Sequence, residues 1–519
     1  MKRPIEPIWK APAVLVITVR TTSYRLQNQP KKNRVVKPKK NHKNTITQAM
    51  NTNSIEVLKR ALWLSALSAL AGCSTLGQTS VSGAQSPAPP PYPGISEERV
   101  VAHHTGSSTV ESLEANDLRS LVDYALENNP EINAAIQTHR AALERVPQVT
   151  ALPDPRLNYR YFFEEVETRV GPQEHAIGIS QTLPWFGKLR LQGVAASESA
   201  RAAAERLASI RNKVIAEVAS AWYELYYLGQ SIEIVRGNRD LVLHLERVAR
   251  ARYGTGAATH ADVIRAQVEL GKIENRLASL EDRRSPLSAR LNAALNRQTT
   301  ELFSLPTDVS FLTVSLSDDQ ILQRVALNNP ELQATDFDIQ AARALKERAK
   351  KNYLPNFTVG VDYVATGEAR NPGVSDSGDD ALSVSVGVTL PIWRSSYDAG
   401  VKEAQAKVHR EQYRREQLLT GFHADTVTAL FKLRDAERQV DLYKNTLLPK
   451  ASESLAATQR AYSAGASSFA DLIDSQRVLL NFELSYARSI TDHNQARTLI
   501  EKLIGQPLDR AQEKEHETK

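Results

Sequence analysis

In the run from Leu382 to Leu390 every second residue is apolar (Leu382, Val384, Val386, Val388, Leu390), and those between are small or polar. Phe357, Val359, Val361 and Tyr363 alternate in the same way with Asn356, Thr358, Gly360 and Asp362. A weaker version runs through Leu157, Tyr159, Tyr161 and Phe163, then Ile177, Ile179 and Leu183. A period of two predicts strands with one apolar and one polar face. About ten residues per strand suits a strand that crosses a bilayer. The polar stretches 164–174 and 365–381 read as the loops within each pair. Elsewhere the period is helical. Residues 116–148 and 317–352 predict helices of moderate length, and Lys188 to about Arg252 holds no proline. The seam Leu207, Ile210, Val214, Val218, Ala221, Leu225, Leu228, Ile232, Val235 steps by three and four, the coiled-coil repeat. Second helices are expected over 259–297 and 468–505, after the breaks at Gly254-Thr255-Gly256 and Ala464-Gly465-Ala466.

The pattern occurs twice. Asn128-Asn129-Pro130-Glu131 recurs as Asn328-Asn329-Pro330-Glu331, Leu152-Pro153 as Leu354-Pro355, and Leu183-Pro184 as Leu390-Pro391. Tyr253, Gly256, Ala257, Ala261, Asp262, Ile264 and Gln267 recur as Tyr462, Gly465, Ala466, Ala470, Asp471, Ile473 and Gln476. The order is kept throughout, so the body is an internal duplication. The fold class that follows is mainly α with a small β part: long coiled-coil helices carrying four transmembrane strands per chain. Four strands cannot close a barrel, and open edges cannot face lipid, so the strands require partner chains.

Composition alters this picture at the N-terminus. Residues 1–72 carry fourteen Lys/Arg against Glu6 and Glu56, so a chain of formal charge +6 is −6 beyond them. The basic balance therefore belongs to a leader and gives no reason to expect nucleic acid as a partner. Lys59-Arg60 precede a short apolar run, Ala61 to Leu70, which ends at Ala71-Gly72-Cys73. That run is too short to span a bilayer and has the layout of a cleaved signal. Leu70-Ala71-Gly72-Cys73 resembles a bacterial lipobox, in which the only cysteine, Cys73, would carry the lipid. The division expected is an upstream extension (1–49), a lipoprotein signal peptide (50–72), an anchor with a Pro-rich linker (73–112), two repeats (113–305 and 306–507) and a tail (508–519).

Catalytic signatures are missing: there is no Walker loop, dinucleotide fingerprint, HExxH or Gly-x-Ser-x-Gly elbow. His103-His104 and the scattered His139, His175, His244, His260, His409, His423 and His493 show no ligand spacing and read as surface or capping residues. No enzyme activity, cofactor or metal site is expected. A lipid-anchored periplasmic coiled-coil adaptor or scaffold is the alternative reading, and the duplicated amphipathic strands count against it.

Two copies of helix, strand pair, long helix, Tyr-x-x-Gly turn and helix, behind a lipobox, resemble the TolC family of outer-membrane efflux proteins. The resemblance covers residues 113–505. With Gln181-Thr182-Leu183-Pro184-Trp185-Phe186-Gly187-Lys188 it points to the lipoprotein branch that serves resistance-nodulation-division exporters of metal cations or drugs. It implies a homotrimer in the outer membrane, with twelve strands in a shared barrel and a helical tunnel through the periplasm. A periplasmic adaptor and an inner-membrane pump would be its partners. It also implies a gate at the periplasmic tip, beside the turn glycines Gly256 and Gly465. Tyr462, Asp471 and Asp474 match the gate pattern in the second repeat. In the first, Asp262 matches while Arg265 stands where Asp474 does; Ser467 replaces an arginine common in the family. Asp471 and Asp474 lie one turn apart on one helix face, where symmetry would gather them into an acidic ring. The other reading of Asp471 is stabilisation of a helix N-terminus.

Overall fold

The computed structural model describes residues 117–311 and 313–508. The leader, Cys73 and the linker lie outside the described residues, as does the tail beyond Leu508.

Each repeat opens with two helices where the sequence predicted one. They are α1 (Leu118–Asn128) and α2 (Pro130–Thr150), then α6 (Asp318–Asn328) and α7 (Pro330–Lys350). Proline disfavours helical backbone in the residue before it, so Asn129 and Asn329 are extended and each becomes the N-cap of the next helix. Asn329 Oδ1 accepts from the backbone N–H groups of Glu331 and Leu332, while its Nδ2 donates to Leu503 O at 2.8 Å. Asn129 caps through Glu131 and Ile132 and reaches Ala294 O at 3.4 Å. The repeated motif thus clips the entry helices of each repeat to the end of that repeat's last helix.

The strands are β1 (Arg156–Thr168), β2 (Gly171–Leu183), β3 (Phe357–Thr366) and β4 (Ala381–Val388), antiparallel in the order β1-β2-β3-β4. Pairing runs on past the apolar alternation. Residues 164–174, expected as a loop, extend both strands to a tight turn at Arg169 and Val170. The polar side chains there hid a ladder that needs only backbone donors and acceptors. Loop 367–380 folds over that turn: Gly378 N donates to Val170 O at 2.8 Å, and Arg370 pairs with Glu165 and Glu167.

After Gly187 the chain enters α3 (Lys188–Gly254), 67 residues and about 100 Å long. The predicted seam from Val214 to Val235 is buried, with Leu207 and Ile210 partly so. Lys188 Nζ donates to Leu354 O at 2.9 Å and Asn356 Oδ1 at 2.8 Å, pinning the start of α3 to the start of β3. The helix expected over 259–297 divides at Arg283 into α4 (His260–Asp282) and α5 (Arg284–Ala294). Pro286, in the first turn of α5, lacks the N–H that would continue α4.

In the second repeat α8 (Arg394–Leu442) passes through a π turn, Tyr443–Leu447, into α9 (Leu448–Ser463). Pro449 removes one intrahelical bond there, and the wider turn accommodates the loss. The last helix is α10 (Phe469–Ile504). The core is a series of apolar clusters along the rods. One, around Leu121, Ile132 and Leu225, joins α1, α2, α3 and α5; another, around Ile321, Leu433 and Ile500, joins α6, α8 and α10.

Candidate gate and membrane face

The ends of the long helices farthest along the chain from the strands carry the expected gate residues. Gly256 (φ 75°) and Gly465 (φ 80°) are left-handed, a conformation that side chains resist. In each repeat the glycine N–H bonds back to the tyrosine carbonyl, at 3.0 Å from Gly256 to Tyr253 and from Gly465 to Tyr462. The following alanine N–H reaches one residue further, to Arg252 O or Ala461 O at 2.8 Å. This paired closure ends α3 and α9 in the same way.

Each turn then starts a helix with a capping box. Thr259 and Asp262 form it on α4, with Thr259 N to Asp262 Oδ2 at 3.0 Å and Asp262 N to Thr259 Oγ1 at 3.3 Å. Ser468 and Asp471 form it on α10. Asp471 Oδ2 accepts from Ser468 Oγ at 2.7 Å, Ser468 N at 3.1 Å and Ser467 Oγ at 3.1 Å. These donors, the Ser468 hydroxyl first, hold the Asp471 carboxyl below the ordinary aspartate range. The helix-end role open for Asp471 is therefore realised within one protomer, and its Oδ1 has no donor among the described residues.

Asp474 is on the same face and exposed, with Arg477 Nη1 at 3.2 Å. Arg477 also grips the buried Glu269 of α4 through two bonds, Nε to Oε1 at 3.0 Å and Nη2 to Oε2, so α4 and α10 are joined. Asp262 has Arg265 at 3.8 Å, the one-turn neutralisation expected where the first repeat departs from the second.

Tyr462 is buried. Its ring meets Phe469 edge-on at 5.4 Å, and the Arg252 guanidinium lies 4.6 Å from its centroid. Arg252 Nη1 donates to Tyr462 O and Nη2 to Ala257 O at 3.1 Å, so one side chain fastens the turns of both repeats. Burial, then the Asp262 charge, push the Tyr462 phenol up, against the pull of Arg252. Arg252 is absent from the sequence-based set of gate residues. Its signal was an asymmetry between matched turns: its counterpart before Tyr462 is Ala461.

The histidine expectation fails at one position. His493 is fully buried, with Glu437 Oε1 3.6 Å from Nε2 and the Phe311 ring 4.4 Å away. Sequence spacing on a 36-residue helix does not reveal that the repeat connector covers this face. Among the described residues no group of three or more His, Cys, Asp or Glu is placed to hold a metal ion.

At the strands, the register aligns the apolar positions into rows across the sheet. Leu157, Ile179, Val361 and Val384 form one row; Tyr159, Ile177, Tyr363 and Leu382 form the next. Both rows are solvent-exposed in the single chain, Val384 at 69%, as is Val386 in the next row, opposite Val359. The opposite face carries Arg156, Ser180, Gly360 and Ser385, then Asn158, Gly178, Asp362 and Ser383. Among the described residues no strand pairs with the outer edges of β1 or β4, and no helix is long and apolar enough to cross a membrane.

The profile of the outer membrane efflux protein family matches residues 121–297 and 321–506, one match per repeat. The cobalt-zinc-cadmium resistance protein CzcC of Cupriavidus metallidurans is 22% identical over 391 residues, 75% of this chain and 90% of that one. The outer-membrane channel OprN superposes with a TM-score of 0.62 at 18% identity, covering 76% of this chain and 92% of that one. CusC, solved in a study of transmembrane channel formation, gives 0.63 at 15% identity, covering 75% and 92%. Duplicated rods, amphipathic strands and a family match over both repeats lead to one assignment: this chain belongs to the outer membrane efflux protein family and serves as an efflux duct.

Proposed function

We propose that three copies of this chain assemble a passive duct from periplasm to exterior, anchored by lipid on Cys73. The observation that carries this reading is the four-stranded sheet with an exposed apolar face and two unpaired edges. Lipid covers such a face, and only neighbouring copies can satisfy such edges. Three sets of four strands give a twelve-stranded barrel, continued by the helical rods. Asp471 and Asp474 line its narrow end, and Asp262 and Tyr462 support that end from within each protomer. A periplasmic coiled-coil adaptor or scaffold would have no use for this sheet.

The duct works with a periplasmic adaptor and an inner-membrane pump of the resistance-nodulation-division type, which supply substrate and energy. Metal cations are the substrate class favoured by the similarity to a cobalt-zinc-cadmium resistance protein; drugs are the second class. The chain itself catalyses no reaction. The test is the mass of the full-length protein extracted from outer membranes in mild detergent, before and after boiling. A heat-labile trimer is expected; a monomer would sink the barrel. Mass spectrometry of the mature N-terminus checks the anchor, since an unmodified Cys73 would overturn it. Loss of the protein should sensitise cells to cobalt, zinc and cadmium more than to a panel of drugs.

A further inference from the structure

The polar face of the sheet is built mostly from small and uncharged residues, with two charged ones on β1 and one on β3. Arg156 stands in a row with Ser180, Gly360 and Ser385, and Arg160 in a row with Ala176, Val364 and Ala381. Both arginines are exposed, and among the described residues neither has a hydrogen-bond or ion-pair partner. The row between them, Asn158, Gly178, Asp362 and Ser383, holds one acid, Asp362, two strands from β1 or about 10 Å across the sheet. Its carboxylate fills the space above Gly178, where an added Cβ would lie 2.1 Å from Oδ1, and it accepts from Ser385 Oγ at 3.4 Å. Asp362 thus offsets one of two positive charges, and each copy keeps a surplus of one. Toward the loops the charge is spent differently: Arg370 is paired with Glu165 and Glu167, and Arg169 with Asp376.

We infer that Arg156 and Arg160 form a basic ring inside the strand-built part of the duct, a selectivity site for small anions and for anionic groups on cargo. The inference rests on the proposed shared barrel, with the polar face toward the lumen. Symmetry repeats the pair in every copy, at two levels roughly 13 Å apart along the strand. Neighbouring small side chains leave the guanidinium groups free to extend into the channel. Low-dielectric walls then focus their field, as rings of Arg or Lys do in anion pores. The duct would be charge-asymmetric, acidic at the helical tip and basic within the sheet.

The test uses the purified full-length oligomer in planar bilayers under a potassium chloride gradient, read as the chloride-to-potassium permeability ratio. Replacing both residues (Arg156→Ser with Arg160→Ser) is expected to lower the ratio by about twofold or more in 0.1 M salt. The change should shrink in 1 M salt, where screening acts within about 3 Å. The charge-preserving pair, Arg156→Lys with Arg160→Lys, should keep the parent ratio. If the double serine variant does not assemble, Arg160→Ser alone should give a smaller shift of the same sign. An unchanged ratio in the serine variants, single or double, overturns the inference. A separate arm checks the barrel: Arg156→Cys, treated with a negatively charged methanethiosulfonate reagent, should change conductance. Labelling without any change in conductance would place Arg156 outside the lumen and overturn the barrel reading, and with it the ring. A conductance change with an unshifted serine ratio would overturn the ring alone.

Discussion

The guanidinium of Arg252 lies 4.6 Å from the centroid of the Tyr462 ring, although the two residues sit 210 positions apart in different repeats. The same group donates to the carbonyls of Tyr462 and Ala257, the residues that close the two tip turns. A planar fork can hold two carbonyls and a ring face together, which a lysine cannot. Arg252 therefore ties the two turns of each protomer into one unit.

Arg252→Ala should loosen that unit. Two charge-assisted bonds and a cation–π contact are lost, each worth about 1–3 kcal/mol before discounting for water at a partly open site. Overall folding should survive, because the clusters along the rods are untouched. Larger or more frequent openings in single-channel recordings and faster proteolysis at residues 253–259 are expected. Arg252→Lys should resemble the alanine variant more than the parent. Unchanged recordings for both would show that the two turns are held by other contacts.

The face assignment of β4 predicts an asymmetry between adjacent residues. Val386 lies opposite Val359 on the apolar side, and Ser385 opposite Gly360 on the other. Arginine at Val386 would meet lipid, at a cost of about 2–4 kcal/mol near the midplane. Arginine at Ser385 should leave assembly intact and alter conductance. The yield of heat-labile oligomer separates the two; equal yields would mean that the strand does not span, and a lower yield for the Ser385 variant would mean that the faces are reversed.

Much of this was legible in the sequence, and the exceptions share a cause. Alternation at Val384, Val386 and Val388, the seam from Leu207 to Val235, and the paired Asn129 and Asn329 report local geometry, which a period or a cap reveals. The β1–β2 pairing near Glu164, Glu165 and Glu167 was hidden because backbone bonding there carries no apolar signature. The helix breaks at Asn129 and Arg283 were smoothed over by a continuous polar–apolar pattern, and only Pro130 and Pro286 just beyond them marked them. Arg252 escaped because its partners are backbone carbonyls, one of them in the other repeat. Asp471 was legible in two roles at once. Its helix-capping bonds form within a chain, whereas the proposed ring depends on symmetry between chains.

His493 predicts a pH dependence. Its ring faces Glu437 at 3.6 Å, with Arg434 and Arg497 also acting on it and the Phe311 ring tilted against it at 4.4 Å. Burial is the largest influence and lowers its pKa below the ordinary histidine value, against the pull of Glu437. The unfolded chain therefore binds a proton more readily than the folded one. The contribution is present above the unfolded pKa of about 6.5 and is lost as pH falls from there toward the folded value. Thermal stability of the detergent-solubilised oligomer should drop between pH 7 and pH 5, and His493→Phe should flatten that slope. A variant with the parent's slope would assign the effect to other groups.

The acidic pair at the start of α10 gives the last test. Asp471 is capped by Ser467 and Ser468, and Asp474 shares Arg477 with Glu269, so neither is a free carboxylate in the single chain. A ring built from them would nevertheless concentrate negative charge, because the Asp471 bonds all end on Oδ2 and Asp474 is exposed. Asp471→Asn with Asp474→Asn should weaken block by multivalent cations in single-channel recordings. Asparagine at 471 keeps an acceptor for the Ser468 N–H, so α10 should hold its start. Asp262→Asn should have a smaller effect, since Arg265 already offsets that charge at 3.8 Å. The Asp471 carboxyl is held below the usual range, so its charge is present above an unfolded value of about 3.9. It is lost only as pH falls through the lower folded value. Its share of the block should therefore persist in mildly acidic solution. If the double variant is blocked as tightly as the parent, the two residues cap and brace the helix and the constriction lies elsewhere.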